Sequence, residues 1–282
     1  MNKKAVKKRP TKIIDAHIHF SNIQSFKDVS TKSKVDYSLY GFNKEFKDMI
    51  AIGMGVTESK DVFPDGNTPN PMMLDLDINP DNMYVCLGYN PNQDVNIEEF
   101  ENQITTKTVG LKIYAGYYHY HVWDDVYRPI YELARKHNLP VVIHSGDTFS
   151  EKGLLKYAHP LEIDELAFMY PDIKFIIAHF GDPWIMDAAE VAHKNKNVYV
   201  DLSGLIVGDE TEVDRFKVDE FTSHIRRGLV YLDNYKKVLF GTDWPLVDVE
   251  SYIEFIMELI PDEHLEDVFY GNAKRVFILD GE

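Results

Sequence analysis

Cysteine is almost absent from this chain, since Cys86 is the only one among 282 residues. A single cysteine excludes an intrachain disulfide, which fits a protein of the reducing cytoplasm. Because Cys86 falls within an apolar run, we interpret it as a small core residue. Long apolar runs are missing as well, and none approaches the roughly 20 residues of a membrane-spanning helix. We therefore predict a cytoplasmic protein without a membrane partner.

Positive charge is also scarce. The chain has 30 Lys and Arg against 46 Asp and Glu, which gives a net charge of −16. This balance argues against nucleic acid as a partner for the body of the protein. The basic segment 1–11 is the exception, but no apolar stretch follows it, so it does not resemble a secretory signal. We predict a solvated tail at 1–11 and a single domain over 12–282.

Short apolar runs alternate with helix-like segments along most of the chain. Eight runs are rich in β-branched or aromatic residues, as buried parallel strands are: 13–19, 49–56, 83–89, 109–114, 141–144, 175–179, 198–202 and 238–243. Helical stripes of apolar residues lie at 124–137, 161–169, 184–192, 220–232 and 251–259. This alternation predicts an α/β protein with one (β/α)8 or TIM barrel, for which the chain length is typical.

Two early segments are less regular than the rest. Residues 21–42 and 57–80 predict long loops, the second with at most a short helix, because Pro, Gly, Asp and Asn are frequent in 57–80. Loops of this length either cover a site or are surface insertions. Such segments are compatible with a distorted barrel.

Two histidines one residue apart end the first predicted strand. Successive side chains on a strand point to opposite faces, so His17 and His19 point the same way. Two imidazoles side by side on a strand make half of a metal site, although two exposed histidines on a strand are also common.

Three later predicted strands also end in a residue that can bind a metal. These residues are His144, His179 and Asp243. In a parallel barrel the carboxyl ends of all strands lie on one rim, where active sites form. Imidazole and carboxylate ligands favour a divalent transition metal, above all zinc, and an open coordination position lets water or substrate bind.

Asp243 has a second expected role, which follows from barrel closure. The eighth strand lies beside the first when the barrel closes, so the Asp243 carboxylate can reach both the metal and its bound water. That water titrates near pH ~7, and a general base that removes its proton is worth roughly 10²–10⁴ in rate.

Other residues at the same rim are candidates for the walls of a pocket. The candidates are Tyr114, Tyr118, His119, Asp147, Trp184 and Trp244. His119 belongs to a second His-x-His pattern, but that pattern lies in a loop, where surface exposure is equally plausible. Asp201 ends the seventh strand and is interpreted as a partner that orients a ligand.

Together these motifs resemble the amidohydrolase superfamily, in particular the "amidohydrolase 2" group of metal-dependent TIM-barrel hydrolases related to aminocarboxymuconate semialdehyde decarboxylase. Beyond the histidines and Asp243, the matching motifs are Gly-Leu-Lys-Ile-Tyr at 110–114, Gly-Thr-Asp-Trp-Pro at 241–245, and Tyr-Gly-Asn-Ala at 270–273 with Arg275 and Phe277. The resemblance runs from about Ile13 to Leu279.

The resemblance implies a ligand set and leaves one choice open. It implies metal binding by His17, His19, His144 and Asp243. In members with one metal, the histidine equivalent to His179 is a catalytic acid or base or holds the substrate. In members with two, it binds the second ion, which a carboxylated lysine at the position of Lys112 bridges to the first. The pattern around Lys112 favours one ion.

The expected activity is that of a metal-dependent hydrolase acting on a small molecule. Metal-bound water, deprotonated by Asp243, would attack an ester, lactone or amide carbonyl, and His179 would stabilise or protonate the oxyanion or leaving group. One alternative is a non-oxidative decarboxylase of a small carboxylic acid that uses the same site. A second is a barrel that binds metal or ligand without turnover. Self-association into a homo-oligomer stays open.

Overall fold

The computed structural model describes residues 7–20, 30–55, 80–92 and 95–279, and every structural statement below concerns these ranges. Eight parallel strands are hydrogen-bonded in sequence order from β1 to β8. They are β1 (Ile13–Ile18), β2 (Met49–Met54), β3 (Met83–Tyr89), β4 (Thr108–Ile113), β5 (Val141–Ile143), β6 (Phe175–Ile177), β7 (Val198–Asp201) and β8 (Val238–Leu239). The segment after β8 closes the barrel, because the Ala16 amide donates to Phe240 O (2.9 Å) and the Asp243 amide to His17 O (2.8 Å).

Helices pack around the outside of this barrel. They are α1 (Leu39–Glu45), α2 (Ile97–Glu101), α3 (Arg128–His137), α4 (Leu161–Met169), α5 (Ile185–Lys194), α6 (Glu210–Phe216), α7 (Asp219–Leu232), α8 (Val249–Leu259) and α9 (Asn272–Val276). A single (β/α)8 barrel, as the sequence predicts, is therefore confirmed. No helix in the described ranges is both long and apolar enough to cross a membrane.

Alternation along the strands divides the core into two parts. A large cluster joins outward-facing strand residues to the helices, and a smaller one, which includes Cys86, Val142 and Leu239, fills the barrel interior. Cys86 is a buried free cysteine, in agreement with its interpretation as a core residue. Lys112 pairs in register with Val142, so its side chain points into the same interior.

The predicted strands agree with the observed ones at most of their starts and are too long at several of their carboxyl ends. Strand β8 stops at Leu239 because the following amides bond elsewhere, that of Phe240 to Val268 O and that of Thr242 to Asp15 Oδ1. Strand β6 stops at Ile177, shortly before His179 (φ 58°), which has left-handed backbone geometry. Sequence patterns do not signal such geometry in non-glycine residues.

The early irregular segments are described only in part. Residue 56, the predicted end of the second strand, and most of both predicted loops (21–29 and 57–79) lie outside the described residues. The prediction for 21–42 is wrong at its carboxyl end, because α1 begins at Leu39. The Ser38 side chain caps this helix by accepting a hydrogen bond from the Gly41 amide.

Candidate metal centre and cavity

Three predicted ligands meet at the carboxyl rim of the barrel. Both histidines of β1 face Asp243: Asp243 Oδ1 lies 3.0 Å from His19 Nε2 and 3.6 Å from His17 Nε2. All three side chains are buried, with at most 6% of each residue exposed. The β1 histidines and the residue after β8 therefore form one cluster, as barrel closure predicts.

Close backbone packing places Asp243 at this cluster. Its amide donates to the carbonyl of His17, and its φ of 67° turns the carboxylate toward the histidines. Gly241 is needed here, because a Cβ at that position would lie 3.0 Å from the Cβ of His17. Strained geometry in a non-glycine residue is common where a site over-determines the backbone.

Asp201 fixes the orientation of His17. The Nδ1–H of His17 donates to Asp201 Oδ2 at 2.9 Å, which leaves Nε2 as the lone-pair nitrogen. Burial lowers the pKa of His17 to about 3, so the ring is neutral. Burial alone would raise the pKa of Asp201, but its contacts with His17 hold that pKa below its ordinary value. The interpretation of Asp201 as an orienting partner agrees with this contact.

Asp15 ties the first strand to the segment that carries Asp243. Its Oδ1 accepts hydrogen bonds from the amides of His17 (3.1 Å) and Thr242 (3.0 Å), and its Oδ2 accepts from the Thr242 hydroxyl (2.6 Å). Burial raises the pKa of Asp15 to about 7. Sequence reasoning missed this residue, although its place two residues before His17, within Ile-Asp-Ala-His-Ile-His, was a usable signal.

The ring of His179 lies beside that of His17, with ring centroids 4.8 Å apart. Its amide donates to Asp201 Oδ1 (3.0 Å), and its Nδ1 lies 3.0 Å from the Ser203 hydroxyl. Because that hydroxyl donates its one hydrogen to Asp201 Oδ1 (2.5 Å), His179 Nδ1 is the donor to Ser203. His179 Nε2 is then the acceptor nitrogen. Sequence reasoning did not find Ser203.

The cluster fits a divalent metal ion. Within the described ranges, His17, His19 and Asp243 offer ligand atoms that all lie within 4.8 Å of one another, and so do His17, His179 and Asp201. Asp201 already binds His17 Nδ1, so the first group is the better candidate. Among the described residues, His17 Nε2 is buried without a hydrogen-bond partner, as a ligand nitrogen is before an ion binds. Imidazole with carboxylate suits zinc.

His144, the fourth predicted ligand, belongs to neither group. Its ring lies at the same rim, 5.0 Å from that of His179, but its Nε2 donates to the carbonyl of Asp147 at 2.9 Å. The loop after β5 folds back here, because the Asp147 amide is bonded to the carbonyl of Asp182. Burial lowers the pKa of His144 well below its ordinary value, so the ring is neutral. Its ligation stays a prediction.

Lys112 lies beneath the cluster in the barrel interior. It is fully buried, and its Nζ lies 5.1 Å from the centre of the Tyr114 ring. Within the described part of the chain, this Nζ has no hydrogen-bond partner. Burial lowers the pKa of Lys112 to about 8, against the opposing charges of Asp201 and Asp243. An uncarboxylated Lys112 beside a single ion stays a prediction.

A cavity of about 210 Å³ opens above the cluster. Its lining residues are His19, Tyr114, Tyr117, His144, Asp147, Phe149, His179, Asp182, Gly204, Val207, Asp243 and Leu246. Tyr114 and Asp147 were predicted there from the sequence. Phe149, Val207 and Leu246 were not, because they lie in loops without a recognisable pattern.

Four other predicted pocket residues lie away from this cavity. Tyr118 is fully buried, and Trp244 packs edge-on against Phe42 and Phe46 in the core. His119 is bonded to the carbonyl of Lys152, and Trp184 packs on His159. Each of the four follows a strand end, but packing and loop contacts direct its side chain away from the cavity.

Comparison with known proteins identifies the family of this chain. A family model described as amidohydrolase matches residues 14–279, so the chain belongs to that family. No curated protein matches the sequence closely enough to be called a relative.

Several solved structures share the fold. An uncharacterised TIM-barrel protein from Bordetella bronchiseptica is 18% identical, with a TM-score of 0.71 and coverage of 96% of this chain and 100% of its own. An amidohydrolase from Burkholderia multivorans with bound zinc is 15% identical (TM-score 0.67; coverage 95% and 99%). A 2,6-dihydroxybenzoate decarboxylase from Rhizobium is 14% identical (TM-score 0.67; coverage 96% and 99%). At these identities the likeness concerns the fold alone.

Proposed function

We propose that this protein is a metal-dependent hydrolase that cleaves an ester, lactone or amide bond of a small molecule. The observation that carries the proposal is the convergence of His17 Nε2 and His19 Nε2 on Asp243 Oδ1, with His17 held in one tautomer by Asp201. A buried imidazole pair facing a carboxylate beneath an open cavity is the arrangement of a catalytic metal site.

His17, His19 and Asp243 would hold one divalent ion, with zinc the first choice. We keep His144 as a fourth ligand through its Nδ1, which carries the lone pair because Nε2–H donates to the carbonyl of Asp147. When bound, the ion would supply Lewis acidity and lower the pKa of water to about 7. The neighbour from Burkholderia multivorans holds zinc, which supports this choice.

Asp243 and His179 would share the proton transfers. Burial alone would raise the pKa of Asp243, but the neighbouring His179 and His19 hold that pKa well below its usual range. Asp243 is therefore ionised at neutral pH and can accept a proton from water. Burial lowers the pKa of His179, so its ring is neutral at rest. It can act on the leaving group only after its Nε2 has taken up a proton.

The test combines metal analysis with turnover. We expect about one divalent ion per chain by plasma emission spectrometry, and hydrolysis of at least one member of an ester, lactone and amide panel. Replacing both His17 and His19 by alanine should abolish both. The matched control replaces His137 and His264, two histidines that lie outside the cluster, and should keep both. Equal metal content in the two double variants would refute the assignment.

A non-oxidative decarboxylase is the second candidate, since a structural neighbour is a decarboxylase. The same cluster would bind the oxygens of a small carboxylic acid, and water attack would not be needed. Release of carbon dioxide from an aromatic or unsaturated carboxylic acid would favour this candidate over the hydrolase. Stoichiometric metal without turnover of either panel would favour a binding protein.

A further inference from the structure

The cavity above the metal cluster has an uneven distribution of charge. Its floor consists of the largely buried residues His19, His144, His179 and Asp243. Its mouth consists of the more exposed residues Asp147, Phe149, Asp182 and Val207. Among the lining residues in the described ranges, acidic side chains occur at both levels, and no lysine or arginine occurs at either.

Two loops are held together so that both acids of the mouth stay beside the cavity. The Asp147 amide donates to the carbonyl of Asp182 at 2.9 Å, and a side chain on Gly146 would collide with that carbonyl. The Asp182 carboxylate is held by His224 Nε2 at 3.1 Å through its Oδ1. The Asp147 carboxylate accepts the Thr148 amide through its Oδ1.

The floor of the cavity is where the proposed metal cluster faces the open space. Asp243 lines this cavity, and His17 Nε2, 3.6 Å from Asp243 Oδ1, is buried without a hydrogen-bond partner among the described residues. An ion bound there would make the floor the positive end and leave the mouth negative. A carbonyl group suits the positive end, and hydrogen-bond donors suit the negative end.

We propose that Asp147 and Asp182 determine substrate specificity, selecting substrates whose outer end carries hydrogen-bond donors and no negative charge. The inference rests on the proposed hydrolase function and names its substrate class. Ammonium and hydroxyl groups share the required chemistry, whereas a carboxylate at the outer end meets two like charges. Both acids contact solvent. We therefore expect each carboxylate to change substrate binding by about 2–5-fold, as an exposed charge does.

The experiment uses one ester skeleton with four outer groups: ammonium, hydroxyl, methyl and carboxylate. For the metal-loaded wild type, we expect kcat/KM to be highest for the ammonium or hydroxyl ester and lowest for the carboxylate ester. An advantage of the ammonium ester over the hydroxyl ester should shrink with added salt, because salt screens charge attraction and leaves a neutral hydrogen bond largely unchanged.

Variants test whether Asp147 and Asp182 cause this substrate preference. Asp147→Asn should reduce the ratio of kcat/KM between ammonium and carboxylate esters about 2–5-fold, and Asp147→Asn with Asp182→Asn about 10-fold. The control is Asp233→Asn, which removes one charge at an exposed left-handed position that asparagine tolerates, at the opposite end of the barrel. It should leave the ratio unchanged.

Failure of the proposed hydrolase function and failure of the specificity proposal give different results. If no ester is cleaved although metal is bound, the proposed hydrolase function fails and the inference fails with it. If esters are cleaved but the carboxylate ester is the best substrate, or Asp147→Asn and Asp233→Asn alter the ratio equally, the inference alone is overturned.

Discussion

At the scale of single residues, the proposed chemistry depends most on Asp243. Its carboxylate faces the two β1 histidines, and the neighbouring histidines keep its pKa low despite burial. One side chain would then hold the ion and receive the proton from water. These two roles can be separated, because asparagine keeps the shape and one oxygen ligand but is a very poor base.

We predict that Asp243→Asn retains much of its metal and loses ~10² or more in turnover. Turnover and metal content should be measured side by side on the best substrate, with Asp233→Asn as the control. If Asp243 only orients the histidines, the loss should be nearer ~10-fold and should follow metal affinity. Near-normal turnover with full metal would rule out Asp243 as the base.

Asp201 gives a second prediction at this scale. Because it accepts the Nδ1–H of His17, its replacement by alanine should free that ring to rotate and change tautomer. We expect Asp201→Ala to weaken metal affinity by about 10–100-fold. Competition with a chelator of known affinity measures this. An unchanged affinity would mean that Asp201 does not orient the ligand.

The residues of the site differ in how far sequence could identify them. His17, His19 and Asp243 were predictable, because each lies at the end of an apolar run and barrel closure brings those ends together. Asp15 and Ser203 were not found, since a single Asp or Ser near a strand end has many ordinary roles. The orientation of the His144 ring depends on a loop contact with the Asp147 carbonyl, which no local pattern encodes.

At the scale of elements, the junction between β1 and the segment after β8 closes the barrel and also builds the metal cluster. Asp15 spans this junction by accepting three hydrogen bonds, two of them from Thr242. The strand starts were predictable from hydrophobic runs, but the early carboxyl ends of β6 and β8 were not. No local pattern encodes the left-handed His179 after β6 or the bond from the Thr242 amide to Asp15 after β8.

We predict that Thr242→Val destabilises the metal-free protein by about 1–3 kcal/mol. The substitution keeps the shape but removes the hydroxyl that donates to buried Asp15 Oδ2 and accepts the Trp244 amide. Urea unfolding against the control Thr106→Val, at an exposed position, measures the effect. Equal stability of the two variants would show that this junction is not stabilised by the hydroxyl.

At the scale of the whole molecule, the predictions concern partners, location in the cell and self-association. The net charge of −16 supports the prediction that nucleic acid is not a partner. Location in the cytoplasm, the solvated tail at 1–11 and self-association also stay predictions. Light scattering on the purified protein would determine the oligomeric state directly.

The last prediction concerns global stability, because Lys112 is fully buried and its Nζ has no hydrogen-bond partner among the residues that the structure describes. Burial lowers the pKa of Lys112 to about 8 from an ordinary 10.5. A base with a lowered folded-state pKa contributes stability above its unfolded pKa and loses it as the pH falls through the folded one. Wild-type metal-free protein should therefore be less stable than Lys112→Met at pH 7, by about 3 kcal/mol.

That difference should shrink as the pH rises from 8 toward 10.5, because Lys112 is then neutral in the folded state and progressively loses its proton in the unfolded state. Urea unfolding of the chelator-treated protein at pH 7 and near pH 10 measures it, with Lys196→Met at an exposed position as the control. A gain for Lys112→Met that is the same at both pH values would mean that better apolar packing, and not relief of a buried charge, stabilises the variant. A loss at pH 7 would mean that the ammonium group is satisfied by Asp201 and Asp243, the two carboxylates whose charges oppose its deprotonation.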